Sequence, residues 1–228
     1  MNLAIIPARA GSKRIRHKNT ADLCGKPLIA YTIEAALEVL SPAEIVVSTD
    51  CGRVRVVASS YGVTIHDRPP DLCTDTAQLE DVAAAVIERL PARPGLVLLL
   101  QPTSPLRGPG PIREALAAFA LRPACDSVVS VCELQHAQWA SHINDGLLTP
   151  HYRPDIRPRT QDVLQLYAET GAIYGFRPAT LAQYHCRMGG IIRPVVTDRI
   201  QAVDIDNPAD LDLAARLLPL VYRDGRWL

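Results

Sequence analysis

The chain has 228 residues, with 24 basic and 24 acidic side chains, and 48% of the residues are hydrophobic. This length supports one sizeable core, and the composition is that of a folded protein, which excludes a largely disordered chain. The neutral charge balance disfavours nucleic-acid binding, because proteins of that class usually carry a basic excess. No apolar run approaches the roughly 20 residues of a membrane-spanning helix, and no signal-peptide pattern begins the chain, so we expect a cytoplasmic protein without membrane contact.

Hydrophobic periodicity and turn residues predict that strands and helices alternate up to residue 132. The predicted strands cover residues 3–6, 44–50, 63–66, 96–100 and 127–132, and the predicted helices cover residues 27–40, 53–61, 78–90 and 111–121. The segment LVLLL at 96–100 has the continuous apolar character of a central strand that is covered on both faces. Such alternation is typical of an α/β fold with a doubly wound, mostly parallel sheet.

The alternation stops between residues 133 and 170, where His, Gln, Arg and Pro are frequent. We interpret this span as a small antiparallel lobe inserted into one domain of residues 1–228; Asn144-Asp145-Gly146 is a hairpin turn signal within it. The lobe suits either a dimer contact or a cap. The remaining predicted elements are a strand at 171–176, a helix at 179–184, strands at 191–196 and 201–203, and a helix from its N-cap Asn207 to about residue 218.

The first predicted strand leads into a loop, residues 9–18, that contains five Lys and Arg side chains and no acid. Gly11 and Ser12 lie where a backbone would bend around a bound anion. Open α/β sheets bind phosphorylated ligands at the C-terminal ends of their strands, so we interpret this loop as a triphosphate site. The alternatives are a solvated basic loop or a nucleic-acid patch. The neutral chain and the position of the loop between a strand and a helix disfavour both.

Two carboxylates, Asp204 and Asp206, alternate at the end of the predicted strand 201–203 and are expected on the same side. A pair of hard oxygen ligands suits Mg²⁺. The six cysteines and six histidines show no metal-ligand spacing, and the chain has neither a dinucleotide-binding nor a P-loop fingerprint. A cationic loop with a carboxylate pair fits a transfer at phosphorus in which a metal and positioning provide the catalysis.

Six segments form a joint set of motifs: IIPARAGSKRIRHKN, CGKPLIAYTIEAAL, VVSTD, LLLQPTSPLR, TGAIYGF and DIDNPADL. Together they resemble the acylneuraminate cytidylyltransferases, or CMP-sialic acid synthetases, including the legionaminic and pseudaminic acid enzymes, from Leu3 to about Leu218. The resemblance implies a nucleotide-diphospho-sugar transferase-like fold and a homodimer. It also implies that CMP passes from CTP to the anomeric hydroxyl of a nine-carbon 2-keto sugar acid, with Mg²⁺ as cofactor and pyrophosphate as product.

The resemblance further implies roles for individual residues. The implied catalytic residues are Arg9, Lys13, Lys18 and Asp206. The implied nucleotide contacts are Arg9, Ala10, Gly11, Ser12, Lys13, Lys18 and Asn19, with Arg68 and Thr76 on the cytidine side. The implied sugar-acid contacts are Gln101, Thr103, Ser104, Arg157, Arg159 and Tyr174, and the implied metal ligands are Asp204 and Asp206.

The chain departs from the family pattern on the sugar side. Thr170 stands where the family often has Asn, Thr160 stands where it often has Arg, and Trp139 stands where a lobe lysine sometimes occurs. Pseudaminic acid, an octulosonate or another keto sugar acid therefore stays open as substrate, as does a catalytically silent nucleotide-binding protein. The sequence also leaves open the general base and whether the lobe arginines act within one chain or across a dimer.

Overall fold

The computed structural model describes residues 1–121, 124–135, 137–156 and 159–228. Its strands are β1 (Asn2–Pro7), β2 (Asp22–Leu23), β3 (Lys26–Pro27), β4 (Ile45–Thr49), β5 (Thr64–Asp67), β6 (Leu96–Leu100), β7 (Ser127–Glu133), β8 (Ser141–Asn144), β9 (Leu147–Pro150), β10 (Tyr167–Phe176), β11 (Ile192–Thr197), β12 (Tyr222–Arg223) and β13 (Arg226–Trp227). Its α-helices are α1 (Leu28–Leu37), α2 (Gly52–Ser60), α3 (Leu79–Glu88), α4 (Gly110–Ala118), α5 (Pro178–Tyr184) and α6 (Pro208–Leu217). Within the described ranges, none of these helices is long and apolar enough to cross a bilayer.

A seven-stranded sheet with the order β11-β7-β10-β6-β1-β4-β5 connects these elements. All of its neighbouring strands pair in parallel except β10, which runs antiparallel to both β6 and β7. The predicted α/β fold with a mostly parallel sheet is therefore confirmed. The C-terminal ends of β1, β4 and β6 lie at one edge of the sheet, together with the start of β10, so the polar loops that follow these strands meet there.

The alternating side chains of the central strands fill two separate cores. Ala4 and Ile6 of β1 pack in the same cluster as residues of α1, α2 and α4, whereas Leu3 and Ile5 pack in the cluster that contains α3. All five residues of β6 are buried, as expected for a strand covered on both faces. Because each buried Leu or Ile contributes about 1.5–3 kcal/mol, these two layers hold the strand ends in fixed positions.

The segment 201–203 differs from its prediction, because it is a turn and not a strand. The Asp198 carboxylate accepts hydrogen bonds from the backbone amides two and three residues later, both at 2.8 Å, and these bonds replace sheet pairing. The chain that follows is held against the loop after β6 by one backbone bond, from the amide of Ile205 to the carbonyl of Thr103 at 2.8 Å. The helix start at Asn207 is confirmed, because its side chain accepts from two amides of the first turn.

The region predicted as a lobe contains the β8–β9 hairpin at the expected turn, where Asp145 and Gly146 both have positive φ, 50° and 79°. β10 begins at Tyr167, inside the predicted span, and continues into the main sheet. Large apolar side chains of this region face solvent: Ile143, Leu147, Leu148, Ile156 and Leu164. Such a concentration of exposed apolar groups is typical of a surface that meets another protein.

Candidate active site

A cleft of about 240 Å³ opens at the C-terminal edge of the sheet. It brings together three loops that are far apart in the sequence, namely those that follow β1, β5 and β6. The polar residues that line it are Arg9, Ser12, Lys18, Asn19, Arg68, Thr74, Asp75, Gln101 and Thr103. A larger cavity of about 520 Å³ lies between α3 and α5, but none of the predicted site residues lines it. The smaller cleft is therefore the candidate site.

The basic loop is closed by its own hydrogen bonds. Asn19 donates its side-chain amide to the carbonyl of Arg9 at 3.0 Å, and the amide of Ala10 donates to the carboxylate of Asp50 at 2.7 Å. The amide of Ser12 donates to the carbonyl of Ala10 at 2.9 Å. Within the described protein, a Cβ added at Gly11 would meet the Arg9 guanidinium at an ordinary contact distance of 3.7 Å, so neighbouring protein atoms do not require a glycine there.

Asp75 bridges two of the predicted phosphate-binding cations. Its carboxylate lies 2.7 Å from Nη1 of Arg9 and forms a second ion pair with Lys13. Hydrogen bonds from Lys13 and Arg9 lower the pKa of Asp75, so it is ionised at neutral pH. The same Nη1 of Arg9 lies 3.5 Å from the carbonyl of Cys73. These contacts connect the basic loop to the loop after β5, where the cytidine side was predicted.

The predicted metal pair lies on the opposite side of the basic loop. Asp206 accepts from Arg14 at 2.9 Å and from Lys18 at 3.3 Å, and the ammonium of Lys18, which is only 14% exposed, also donates to the carbonyl of Ile205 at 2.7 Å. Burial raises the pKa of Asp204; a hydrogen bond from Thr103 opposes this effect, and the charge of Asp206 adds to it. The two carboxylates are thus close enough to repel one another.

This donor set fits a hard divalent cation. Two mutually repelling carboxylates gain from a shared positive charge, and Mg²⁺ commonly takes one or two protein carboxylates with water and phosphate oxygens as its other ligands. In the described parts of the chain, no cluster of three or more His, Cys, Asp or Glu side chains could hold a metal alone. The missing ligands would therefore have to come from the substrate or from water.

Tyr174, Ser104 and Thr76 are among the predicted contacts that do not line the cleft. Tyr174 is only 4% exposed; its hydroxyl donates to Glu169 at 2.9 Å and its ring packs against Arg187. Ser104 is buried in the 3-10 turn that follows β6. Thr76 is exposed next to the cleft lining, with its hydroxyl 3.3 Å from that of Thr74. Core packing encloses the side chains of Tyr174 and Ser104, and their contact with substrate stays a prediction.

The other predicted contacts divide between the cleft and the lobe. Arg68 lines the cleft, nearly buried; its Nε donates to the carbonyl of Leu72 at 2.7 Å, and desolvation lowers its pKa. Gln101 and Thr103 also line the cleft. Arg159 is in the lobe, outside the lining, and pairs with Asp162 at 2.8 Å. Arg157 lies outside the described residues.

Asp50, Asp75 and Arg107 are among the residues of this site that were not predicted as contacts. Asp50 ends the motif VVSTD but was not predicted to contact the basic loop, and Asp75 reaches that loop only through the tertiary fold. Arg107 is fully buried beneath the end of β6, with hydrogen bonds to the carbonyls of Gln101 and Ala172. A signal for Arg107 was present, because a lone arginine follows an otherwise apolar and proline-rich turn, but its burial could not be read from that turn.

Comparisons with known proteins agree with the geometry. A family model described as "Cytidylyltransferase" matches residues 3–188. The chain is 38% identical to CMP-N,N'-diacetyllegionaminic acid synthase of Legionella pneumophila, with 96% of each protein covered. It is 33% identical to pseudaminic acid cytidylyltransferase of Campylobacter jejuni, covering 93% of this chain and 94% of that protein. It is 32% identical to N-acylneuraminate cytidylyltransferase of Escherichia coli, covering 93% of the chain but 51% of that protein, so it spans about half of that relative.

Among solved structures, the fold resembles CMP:2-keto-3-deoxy-manno-octonic acid synthetase complexed with CTP. The TM-score is 0.72, the identity is 23%, and the match covers 96% of this chain and 98% of that chain. At an identity of 23%, the structural similarity supports the fold alone. Together with the sequence relatives, it confirms both the family resemblance and the nucleotide-diphospho-sugar transferase-like architecture that the motifs predicted.

Proposed function

Because the chain belongs to the cytidylyltransferase family, we propose that this nucleotidyltransferase moves CMP from CTP to the anomeric hydroxyl of a nine-carbon 2-keto sugar acid of the sialic or legionaminic type, releasing pyrophosphate. One observation carries the proposal. A single cleft at the sheet edge combines the cations of the 9–18 loop with Gln101, and the carboxylate pair lies next to it. Such a set can hold a triphosphate, a metal and an attacking hydroxyl together.

The basic loop would offset the charge of the triphosphate. Arg9 and Lys18 line the cleft, and Lys13 is paired with Asp75 of the lining, in a loop whose backbone is closed by hydrogen bonds. Preorganised cations of this kind stabilise the charge that develops at phosphorus, and removal of one such donor typically costs about 3–4 kcal/mol. Ala10, Gly11, Ser12 and Asn19 would shape the loop around the phosphates, and Arg68 would face the cytidine with Thr76 at the rim.

Mg²⁺ is the metal that we propose for this site, with Asp204 and Asp206 as its protein ligands. When bound, it would neutralise phosphate charge and act as a Lewis acid toward the α-phosphate. Asp206 is paired with Arg14 and Lys18 without a nucleotide, so metal binding requires these cations to turn toward the phosphates. Thr103 would hold Asp204 in place through the hydrogen bond between their side chains.

The sugar acid is the less constrained part of the proposal. The identity of 38% to the legionaminic acid relative, against 33% to the pseudaminic acid relative, supports a legionaminic or sialic type of substrate. Gln101 and Thr103 would contact the sugar from the cleft, and Arg157 and Arg159 would reach its carboxylate from the lobe. Pseudaminic acid and an octulosonate are the alternatives of the same class, and a silent nucleotide-binding protein is the alternative without turnover.

We also propose that the protein is a cytoplasmic homodimer that associates through the inserted lobe, residues 133–170. The solvent-facing apolar side chains of that region support this surface, with Leu164 81% exposed. The six cysteines, all located in described residues, are free thiols, as is usual in a reducing compartment. A dimer would also bring the lobe arginines of one chain within reach of a neighbouring cleft.

Pyrophosphate release tests the proposed function. Purified protein is mixed with each of the four nucleoside triphosphates and with sialic, legionaminic, pseudaminic or octulosonic acid, with and without Mg²⁺. We expect release with CTP, Mg²⁺ and one nine-carbon acid, and none after chelation. Asp206→Asn serves as the inactive control. A folded protein that binds CTP but releases no pyrophosphate with any acid would contradict the proposed activity and favour the catalytically silent nucleotide-binding protein.

A further inference from the structure

Arg107 is a buried cation without an acidic partner. The residue is 1% exposed, and within the described chain no carboxylate forms an ion pair with it. Nη1 donates to the carbonyl of Gln101 at 3.2 Å and to that of Ala172 at 2.7 Å, while Nε has no partner. Burial lowers its pKa to about 9, which leaves it charged at neutral pH. Burying a guanidinium without an anion is unfavourable for folding. Core packing alone therefore does not explain why an arginine occupies this position.

The two carbonyls that Arg107 contacts belong to adjacent strands at the cleft edge. Gln101 follows the last residue of β6, and Ala172 lies in β10 next to the register pair of Ile173 with Leu100. The direct backbone bond at this point is long, 3.4 Å from the amide of Gln101 to the carbonyl of Ala172. Nη1 of Arg107 therefore closes the end of this strand pair, just where β10 leaves the regular ladder.

The side chain of Gln101 depends on this closure. Gly171 has a φ of 73°, and a Cβ added there would come within 3.3 Å of Nε2 of Gln101. The amide of Gln101 therefore lies close to Gly171, and the residue after that glycine accepts a hydrogen bond from Arg107. Movement of this strand pair would shift the part of the cleft wall that Gln101 forms.

We propose that Arg107 is a positioning residue for the sugar-acid side of the reaction, where it holds Gln101 against Gly171 and places an uncompensated positive charge beneath the cleft wall. The inference rests on the proposed function and adds a residue to it. A sugar acid is an anion, and a fixed cation in a region of low dielectric attracts it more strongly than an exposed one does. Both bonds come from the terminal nitrogen Nη1, and a lysine side chain ends one atom short of that position.

The test separates the two substrates. Arg107→Lys keeps the charge but ends one atom short of Nη1, and Arg107→Met removes both the charge and the donor; Arg113→Met, at an exposed arginine of α4, is the matched control. We expect kcat/KM for the sugar acid to fall at least tenfold for Lys and further for Met, while the Kd for CTP from calorimetry changes less than threefold. Equal losses on both substrates, or no loss, would overturn the inference.

A double-mutant cycle decides whether Arg107 acts through Gln101. In a Gln101→Ala background, Arg107→Lys should cause less than a twofold further loss for the sugar acid, because its target is already gone. Additive losses would contradict the positioning role. If the Arg107 variants do not fold, Gly171→Ala replaces them; it should disturb the same amide and raise the sugar KM without altering CTP affinity. Wild-type protein that is inactive with every acid would refute the proposed function itself, independently of these variants.

Discussion

The nucleotide side and the sugar side of the cleft are built in different ways. On the nucleotide side, Arg9 and Lys13 pair with Asp75, and Lys18 pairs with Asp206, so acidic side chains of the chain itself hold these cations. On the sugar side, the buried Arg107 donates to the carbonyl of Gln101, and the lobe exposes large apolar side chains to solvent. The comparison supports our proposal that one chain forms the nucleotide site, whereas the lobe of a second chain completes the sugar site.

The largest effects should come from the nucleotide side. Arg9→Ala and Asp206→Ala each remove a fixed charge that would face the triphosphate or its metal, so we expect kcat to fall by about two to three orders of magnitude. Pyrophosphate release at saturating CTP measures this loss. Both side chains are partly exposed, and thermal melts should show little change in stability.

Arg16→Ala is the matched control for these variants, because Arg16 lies in the same loop and is exposed. Its loss should change kcat less than about threefold, since screened surface charges contribute little. If Arg9→Ala were unfolded, its loss of activity would reflect stability and not a role in catalysis. If Arg16→Ala were as impaired as Arg9→Ala, the general charge of the loop, and not specific positions, would determine the activity.

A substitution in the lobe tests the other side of the comparison. Leu164→Glu places a charge at an 81% exposed apolar position, and burial of such a leucine in an interface is worth about 1.5–3 kcal/mol. We therefore expect the dimer to dissociate about 10- to 100-fold more readily, as measured by light scattering over a concentration series. If Arg159 acts across the dimer, the KM for the sugar acid rises with it while CTP affinity is unchanged.

Leu213→Glu provides the control, because Leu213 is an exposed leucine on α6, outside the lobe. It should leave both the oligomeric state and the sugar KM unaltered. A wild-type protein that is monomeric at all concentrations, or a Leu164→Glu dimer as tight as wild type, would show that the sugar site is complete within one chain.

Features set by residues that are close together in the sequence could be predicted, whereas contacts between distant segments could not. The β6 run LVLLL and the cap at Asn207 are set by local chemistry, and both were predicted correctly. The contact of Asp75 with Arg9 depends on how two distant loops fold over the sheet edge, so no local pattern indicates it. The prediction that Tyr174 contacts the substrate comes from a family motif, whereas its burial depends on packing around β10 that the motif does not contain.

The same distinction explains the failed strand at 201–203. Its apolar residues fit a strand pattern, but the Asp198 side chain captures two amides that a strand would need for pairing. Side-chain hydrogen bonds of this kind compete with regular structure, and their outcome depends on geometry that a pattern does not contain. The carboxylates Asp204 and Asp206 nevertheless reach the cleft edge, because the bond between Ile205 and Thr103 holds their segment there.

A smaller effect should come from the carboxylate of Asp75 on the nucleotide side. Asp75→Asn removes the carboxylate that pairs with Arg9 and Lys13 in the free protein, so a triphosphate no longer has to displace it. Two exposed ion pairs are each worth about 0.2–1 kcal/mol, and we expect CTP to bind about 3- to 10-fold more tightly in calorimetry. Asp71→Asn, in the same loop, should have no such effect. Weaker binding by Asp75→Asn would instead mean that Asp75 orients the cations in the bound state.

The smallest predicted effect concerns Asp204 and has an unusual sign. Burial raises its pKa above the unfolded value of 3.8, so the folded protein holds this proton more firmly than the unfolded chain does. Stability from this group is therefore lost as the pH rises through that range, and at pH 7 the ionised carboxylate destabilises the metal-free fold. Asp204→Asn should raise the melting temperature in chelator at pH 7, by about 1–2 °C, and the gain should shrink toward pH 4.

Mg²⁺ should stabilise the wild type but not the variant, whereas Asp212→Asn on α6 should behave as wild type. A lower melting temperature for Asp204→Asn at pH 7 would show that the hydrogen bond from Thr103 outweighs the burial of the charge, and that this carboxylate is part of the fold before it is part of a metal site.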